Sequence, residues 1–357
     1  MKPFSNLLLS VGMLLTVTAC ATLFSQPTAP SPVPTSSRDG DFVLDRNPAV
    51  PQTIAPSPGL AGTPKREVFE GITPCSHLTR PLPQIPADTN CEQMIWKLIL
   101  YRDPATGTPA TYALNSAYGV PQQGTLGLQG GGTVIAMEGK WAIAKGIKTD
   151  PDAVVYQLNP DNPQTAFSFL KITVDILHVL ASDRTLLGGN GGWSYNLNRT
   201  DNRIPPPING QRGSVSEPPP RPPIPPMPPD SSISGVFEGR TPCHDIVLEF
   251  TQVTPYSGCV KIKWRLTLYQ NRTTGAPSTY LYMGTSTIRE GTWTIARGTD
   301  SDPNAIIYQL HLDGSQKPVS FLKADENHLF LLDRDLNFLV GDALFSYTLS
   351  RTDKDAQ

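Results

Sequence analysis

The chain has no excess charge, little cysteine, and no apolar run long enough to cross a bilayer. Its 357 residues carry 29 Lys and Arg against 31 Asp and Glu, a net charge of −2. That balance gives no electrostatic basis for binding nucleic acid or an anionic membrane surface. Leu7 to Val17 is apolar but too short for a span, and no other stretch approaches about 18 apolar residues. No segment holds a 3.6-residue period long enough to predict a helix. No Cys-x₂₋₄-Cys pair exists, which argues against a zinc site. There is no Gly-x-Ser-x-Gly, and Gly130-Gly-Gly132 lacks the Lys-Ser/Thr of a phosphate loop.

What is present is a duplication. Val68-Phe-Glu-Gly-Ile-Thr-Pro-Cys75 returns as Val236-Phe-Glu-Gly-Arg-Thr-Pro-Cys243. Cys91 and Cys259, Trp96 and Trp264, Tyr101 and Tyr269, and Tyr112 and Tyr280 keep the same offset of 168. Further on the offset is 152. It aligns Glu138-Gly-Lys-Trp141 with Glu290-Gly-Thr-Trp293, Val155-Tyr-Gln-Leu158 with Ile307-Tyr-Gln-Leu310, and Arg199-Thr-Asp201 with Arg351-Thr-Asp353. The difference places a 16-residue insertion in the first copy between Tyr112 and Glu138. A repeat this long is a domain, not a solenoid unit, and each copy is large enough for its own core.

Residues 1–19 read as a lipoprotein signal peptide. They end in Val17-Thr-Ala-Cys20, which resembles a bacterial lipobox. The resemblance implies cleavage before Cys20 and lipidation of that cysteine. Lipid would then be the anchor, with Ala21 favouring the outer membrane. Four cysteines remain: Cys75, Cys91, Cys243 and Cys259, in two pairs spaced 16 apart. Four cysteines allow three pairings. The repeat and an oxidising compartment favour Cys75–Cys91 and Cys243–Cys259, each worth roughly 3 kcal/mol in the chain-entropy picture.

Residues 20–65 are rich in Pro, Ser, Thr and Gly and read as a disordered tether. Residues 66–203 form copy 1 and 233–357 copy 2. Between them, 204–232 carries twelve prolines, a stiff spacer that could hold the copies up to about 80 Å apart. Both copies show short alternating segments such as Trp96–Tyr101, Ala153–Leu158, Trp193–Leu197, Ser278–Tyr282 and Leu344–Leu349, separated by turn signals. The pattern predicts an all-β fold: two tandem antiparallel barrels.

The phrase Gly235-Val-Phe-Glu-Gly-Arg-Thr-Pro-Cys243 is followed by a Leu-rich strand, Thr279-Tyr280, Gly291-Thr-Trp293 and Leu329-Phe-Leu-Leu-Asp333. This order resembles the N-terminal domain of the copper-resistance and envelope-stress lipoprotein NlpE family. The resemblance covers both copies. It implies small lipocalin-like barrels on a lipidated N-terminus, with a role in copper tolerance and envelope sensing. The family's Pro-Cys-x-x-Cys is broken here, because the fourth positions are Leu78 and Ile246. Its copper chemistry therefore does not carry over, and metal ligands stay unknown.

Histidine supplies no inherited site. The five, His77, His178, His244, His311 and His328, have no histidine at the matching position of the other copy. His77 and His244 lie beside Cys75 and Cys243 as candidate weak copper contacts. Shared carboxylates are Glu70/Glu238, Glu138/Glu290, Asp150/Asp302, Asp183/Asp335 and Asp201/Asp353, several in turn contexts. The shared aromatics Phe69/Phe237, Trp96/Trp264, Trp141/Trp293, Tyr156/Tyr308 and Tyr195/Tyr347 either fill the barrels or line a cavity. The chain is thus read as a non-enzyme, an envelope lipoprotein that binds or senses. Its expected partners are a membrane, reached through lipid, and a small apolar ligand or an envelope protein. No catalytic residue and no cofactor are assigned, copper being the one that the resemblance raises.

Overall fold

The computed structural model describes residues 65–76, 79–202, 222–243, 245–252, 259–300, 302–312 and 317–353. The segments expected to be a signal peptide and a tether, with Cys20, and also His77, His244 and most of the Pro-rich spacer lie outside the described residues. The fold is all-β, two closed antiparallel barrels of eight strands each. Barrel 1 holds β1 (Lys65–Pro74), β2 (Gln93–Arg102), β3 (Pro109–Gly119), β4 (Thr133–Lys145), β5 (Val154–Leu158), β6 (Phe167–Lys171), β7 (Ile176–Val179) and β8 (Asn196–Arg199). Barrel 2 holds β9 (Ser231–Thr241), β10 (Ile262–Asn271), β11 (Pro277–Met283), β12 (Ile288–Arg297), β13 (Ile306–His311), β14 (Val319–Lys323), β15 (His328–Leu331) and β16 (Thr348–Arg351).

The strands form because alternation puts one residue set inside and the other outside. On β2 the inward set is Met94, Trp96, Leu98 and Leu100, all buried in the barrel 1 core. An eight-stranded barrel has a bore just wide enough for side chains to fill. The shared aromatics do this. Trp96 packs edge-on against Phe169, and Trp264 against Phe321. Each buried indole also finds an acceptor. Trp96 Nε1 donates to Thr73 Oγ1 at 2.9 Å and Trp264 Nε1 to Thr241 Oγ1 at 3.0 Å. Trp141 and Trp293 donate to the carbonyls of Tyr101 and Tyr269. The repeated motifs are therefore packing motifs.

The opening phrase marks where each barrel shuts. Its glycine, Gly71 or Gly239, faces the last strand, and a Cβ there would lie 2.6 Å from the Asn196 carbonyl or 2.7 Å from that of Thr348. The closing pairing is short: β1 meets β8 only at Phe69↔Arg199 and Glu70↔Asn198. The tail repeated in both copies reinforces it. Asp201 accepts from the Val68 amide at 3.1 Å and Asp353 from that of Val236 at 3.2 Å. Arg199 and Arg351 hold those carboxylates, 2.9 and 2.8 Å away. Burial raises both carboxyl pKa values, but the hydrogen bonds from the arginine and the amide outweigh it and leave them lowered.

The 16-residue insertion falls where expected and lengthens the β3–β4 hairpin, which pairs from Thr111↔Lys140 to Tyr118↔Thr133 and ends in a loop with one 3₁₀ turn, Gln129–Gly131. Other expectations need correction. Trp193–Tyr195 and Leu344–Tyr347 are loops, since only Asn196–Arg199 and Thr348–Arg351 join the sheets. Among the described residues there is one α-helix, α1 (Asp245–Thr251), too short for periodicity to signal. Most importantly, the barrels are not held apart by the spacer: they touch along a continuous seam, described below.

Gly71→Ala and Gly239→Ala should each destabilise their barrel by about 1–3 kcal/mol, because the new methyl meets backbone rather than a movable side chain. Chemical denaturation measures this, and an unchanged midpoint would remove the closure argument.

Candidate functional site

Each barrel is stoppered at one end by its inter-cysteine segment. The disulfides are Cys75–Cys91 and Cys243–Cys259, with Cα atoms 5.2 and 6.0 Å apart. Between the cysteines the two copies share almost no sequence, yet both insert two apolar residues three apart. In barrel 1 these are Leu82 and Ile85; in barrel 2 they are Val247 and Phe250, on α1. Phe250 stacks on Trp264 with ring centroids 5.4 Å apart and planes within 6°. It also meets Tyr282 edge-on at 5.4 Å. With all four thiols in bonds, none offers a thiolate to a metal.

Beside α1 lies a cavity of about 380 Å³. Ile246 and Phe250 form one wall, Leu310 and Val319 from the β13–β14 hairpin another, and Leu332 the floor side. An ion pair between Arg334 and Glu249 ties the helix to the β15 end of the barrel at its rim. Glu249, Gln252, Lys317, Ser320, Asp333 and Arg334 make the lining more polar than apolar, and the pocket is half open to solvent, a mixed surface that suits a small amphipathic molecule. The helix belongs to barrel 2 alone, so this site is not a repeated one.

The second feature is the seam between the barrels. Ser194 Oγ lies 2.5 Å from Ser346 Oγ, Asn196 Nδ2 lies 2.6 Å from Thr348 Oγ1, and Trp193 stacks on Phe345 at 5.3 Å. Every one of these pairs joins residues 152 apart, the repeat offset. Equivalent residues meet each other, which is the signature of an isologous, two-fold contact built inside one chain. The glycines agree: a Cβ on Gly189 would lie 2.5 Å from Ser350 Oγ, and one on the equivalent Gly341 would lie 2.8 Å from Asn198 Nδ2.

Two histidines face each other across this seam. His178 on β7 and His328 on β15 are both 0% exposed, with ring centroids 5.1 Å apart. Both Nε2 atoms reach one acceptor, the Leu187 carbonyl, at 3.1 and 3.0 Å. His328 Nδ1 lies 2.8 Å from Asp325 Oδ1, so both its nitrogens face acceptors. His178 Nδ1 lies 2.5 Å from Asn196 Oδ1. Burial first, and the charge of His328 second, push the His178 pKa down to about 3. A neutral His178 that donates from Nδ1 to Asn196 Oδ1 leaves the Asn196 amide oriented to donate from Nδ2 to Thr348 Oγ1, and His328 Nε2 then serves the Leu187 carbonyl.

Several of the shared carboxylates make structural contacts. Glu70 accepts from Thr200 Oγ1 at 2.7 Å, Glu238 is held by Arg265, and Asp150 and Asp302 accept from amides two residues on. Among the described residues no group of three or more His, Cys, Asp or Glu side chains is placed to hold a metal ion. Offset matching missed the histidine pair. His178 aligns with Phe330 and His328 with Ile176, so neither looks shared. A two-fold contact can bring position i of one copy against position j of the other, and these two positions alternate on one strand face.

The seam should weaken in acid. His178 has its pKa lowered relative to the usual 6.5, so the closed seam has full stability above that value and loses it as pH falls toward about 3. The slope is about 1.4 kcal/mol per pH unit. Asp325 does not offset this. Burial raises its pKa, but the hydrogen bond and charge of His328 lower it further, so it stays ionised through most of that window. Thermal melts from pH 7.5 down to 4.5 should show the loss. His178→Phe, the residue of copy 2 at that position, should flatten it, and an equal pH response in the variant would count against the assignment.

No protein-family model, no curated protein and no solved structure matches this chain.

Proposed function

We propose that the chain is a non-catalytic lipoprotein of the cell envelope that binds a small amphipathic molecule in barrel 2 and serves envelope homeostasis by sensing it. The observation that carries the binding half is the cavity of about 380 Å³ beside α1. A bore filled with Trp264, Phe321 and Tyr282 has no room for a large apolar cargo, so the ligand belongs at the stoppered end. α1 is the movable wall. It is seven residues long and tethered by Cys243–Cys259 on one side and by Arg334 on the other. A ligand that displaces Phe250 from Trp264 changes the packing of the whole end of the barrel.

The envelope half rests on the lipobox at Cys20 and on the resemblance of both copies to the NlpE N-terminal domain. Copper enters this reading only through reduced protein, in which the two cysteine pairs become thiols.

Cys20→Ala should move the protein from the membrane to the soluble fraction on fractionation; a variant still in the membrane would show another anchor. The uncharged probe N-phenyl-1-naphthylamine should bind the full chain and gain fluorescence. Val319→Trp, which fills the cavity from its wall, should weaken that binding about tenfold or more, as expected when a bulky side chain occupies a preformed pocket. A protein that neither binds the probe nor carries a co-purifying small molecule in native mass spectrometry would overturn the site.

A further inference from the structure

β4 is thirteen residues long, and its two neighbours cover it unequally. β3 pairs with Thr133 to Lys140, whereas β5 pairs only with Trp141 to Lys145. Among the described residues no strand pairs with the other edge of Thr133–Gly139. The chain leaves that edge at Asn159, whose amide donates to the Lys140 carbonyl at 2.9 Å and whose φ is +51°. The same bond fixes the phase of the edge. In an antiparallel ladder successive residues aim their N–H and C=O groups to opposite sides. Lys140 aims toward the β5 side, so Glu138, Ala136 and Val134 do too, and their backbone groups line the open edge. Their side chains stand on the outer face and are exposed, Val134 at 41%. Ile135 and Met137, between them, pack against the margin of the barrel 1 core.

Proteins that stay monomeric blunt such edges with lysine, proline, a bulge or a short strand. This edge has none of these. Thr133-Val-Ile-Ala-Met-Glu-Gly139 carries one charge, Glu138, and no proline, and its pairing with β3 has no register shift. Barrel 2 shows the protected form. There the part of β12 that pairs with β11 alone is Ile288-Arg-Glu-Gly291, four residues with two charges. The difference follows the insertion, which makes β3 and β4 longer than β11 and β12. The long edge is thus a property of copy 1 alone, and closing a barrel does not require it.

We propose that the Thr133–Gly139 edge docks a second copy of this chain, the two edges adding antiparallel about Ala136. The sequence is self-complementary in that register. Ala136 faces the partner's Ala136, Val134 the partner's Glu138, Ile135 the partner's Met137 and Thr133 the partner's Gly139. The pairs made by Val134, Ala136 and Glu138 are those with open backbone groups, so each exchanges both of its N–H···O bonds. The lone carboxylate does not meet its own copy, a like-charge contact that would oppose pairing. Ile135 and Met137 meet on the inner side and join the margins of two cores. The neighbouring registers fail. Centring on Glu138 would set two carboxylates face to face and place Val134 opposite Ala142, which β5 already occupies. Centring on Val134 would run Ala136 and Glu138 off the strand onto Gly132 and Gly130. The surface is independent of the cavity beside α1.

The test uses the full chain with Cys20→Ala. The other four cysteines are bridged, so an added cysteine is the one free thiol. Sedimentation velocity at rising concentration should show a monomer–dimer equilibrium. Two facing Ala136 Cα atoms would lie about 5.5 Å apart, within disulfide range, so Ala136→Cys should cross-link on mild oxidation. Glu138→Cys should not, because its Cα would lie about 14 Å from that of its copy. Mixing Glu138→Cys with Val134→Cys should restore a cross-link between the two variants. Charge gives a second reading of the register. Val134→Glu sets carboxylates opposite one another and should weaken the dimer about fivefold or more, while Val134→Lys faces the partner's Glu138 and should hold it as tightly or more so. Both changes sit at an exposed position, so both variants should melt with the wild type. A chain that stays monomeric, a Glu138→Cys that cross-links as readily as Ala136→Cys, or equal weakening by Val134→Glu and Val134→Lys overturns the proposal. So does an Ala136→Cys adduct with a different polypeptide, which would assign the edge to a foreign strand.

Discussion

Barrel closure is the constraint on which the rest depends. Seven of the eight junctions in each barrel are between neighbours in sequence, and hairpins bring those together. The eighth joins the first strand to the last, across more than a hundred residues, and it is short. In barrel 1 the β1–β8 ladder has two pairs, against ten between β1 and β2. What secures it is a set of specific contacts: a glycine that lets the strands approach, and an Asp held by an Arg that caps the amide of Val68 or Val236. These are also the most strongly repeated residues of the chain, Phe-Glu-Gly at the start and Arg-Thr-Asp at the end.

Closure and seam are two faces of the same strand. On β8 the inward residue Leu197 packs in the barrel core, while Asn196 and Asn198 point outward and are buried by barrel 2. Asn198 receives the Gly341 amide at 3.1 Å and donates to the Asp342 carbonyl at 2.9 Å. Burying amides and hydroxyls contributes little net stability and costs much if any is left unpartnered. Such a contact is worth more for fixing one arrangement of the barrels than for holding them tightly. A purely apolar patch would tolerate sliding; paired Ser194–Ser346 and Asn196–Thr348 do not.

This explains what could be read from the sequence and what could not. The two barrels, their disulfides and the 16-residue insertion all follow from residues compared at a fixed offset. The interior aromatics follow from alternation. The plug α1 did not, because seven residues give fewer than two turns, and its apolar pair Val247 and Phe250 is no more periodic than Leu82 and Ile85. The seam was hidden for a different reason. Its residues are polar, and outward-facing polar residues on a strand look like solvent contacts. The clue was present in Trp193/Phe345 and Ser194/Ser346, kept in both copies although neither pair joins a strand. The polyproline spacer argued the other way, since its length permits separation. Length sets how far two domains can part, and complementary surfaces decide whether they do.

A two-fold contact inside one chain can do what a homodimer cannot. In a homodimer every substitution appears on both sides of the axis. In a fused pair the two sides are free to differ, and here they do. His328 stands where barrel 1 has Ile176, and His178 stands where barrel 2 has Phe330. Two copies of either barrel about the same axis would bring no such single imidazole pair with one Asp325 beside it. Asn198 hydrogen-bonds the Gly341 loop, but its counterpart Ser350, though it lies against Gly189, makes no hydrogen bond there, and its buried hydroxyl lacks a partner. Arg240 covers Trp193 on one side of the seam while the equivalent Ile72 lies on the other. The symmetric contacts lie at the axis and fix the geometry. The asymmetric ones carry the titratable and charged groups, so any chemistry at this seam arises from the departures from the repeat and not from the repeat itself.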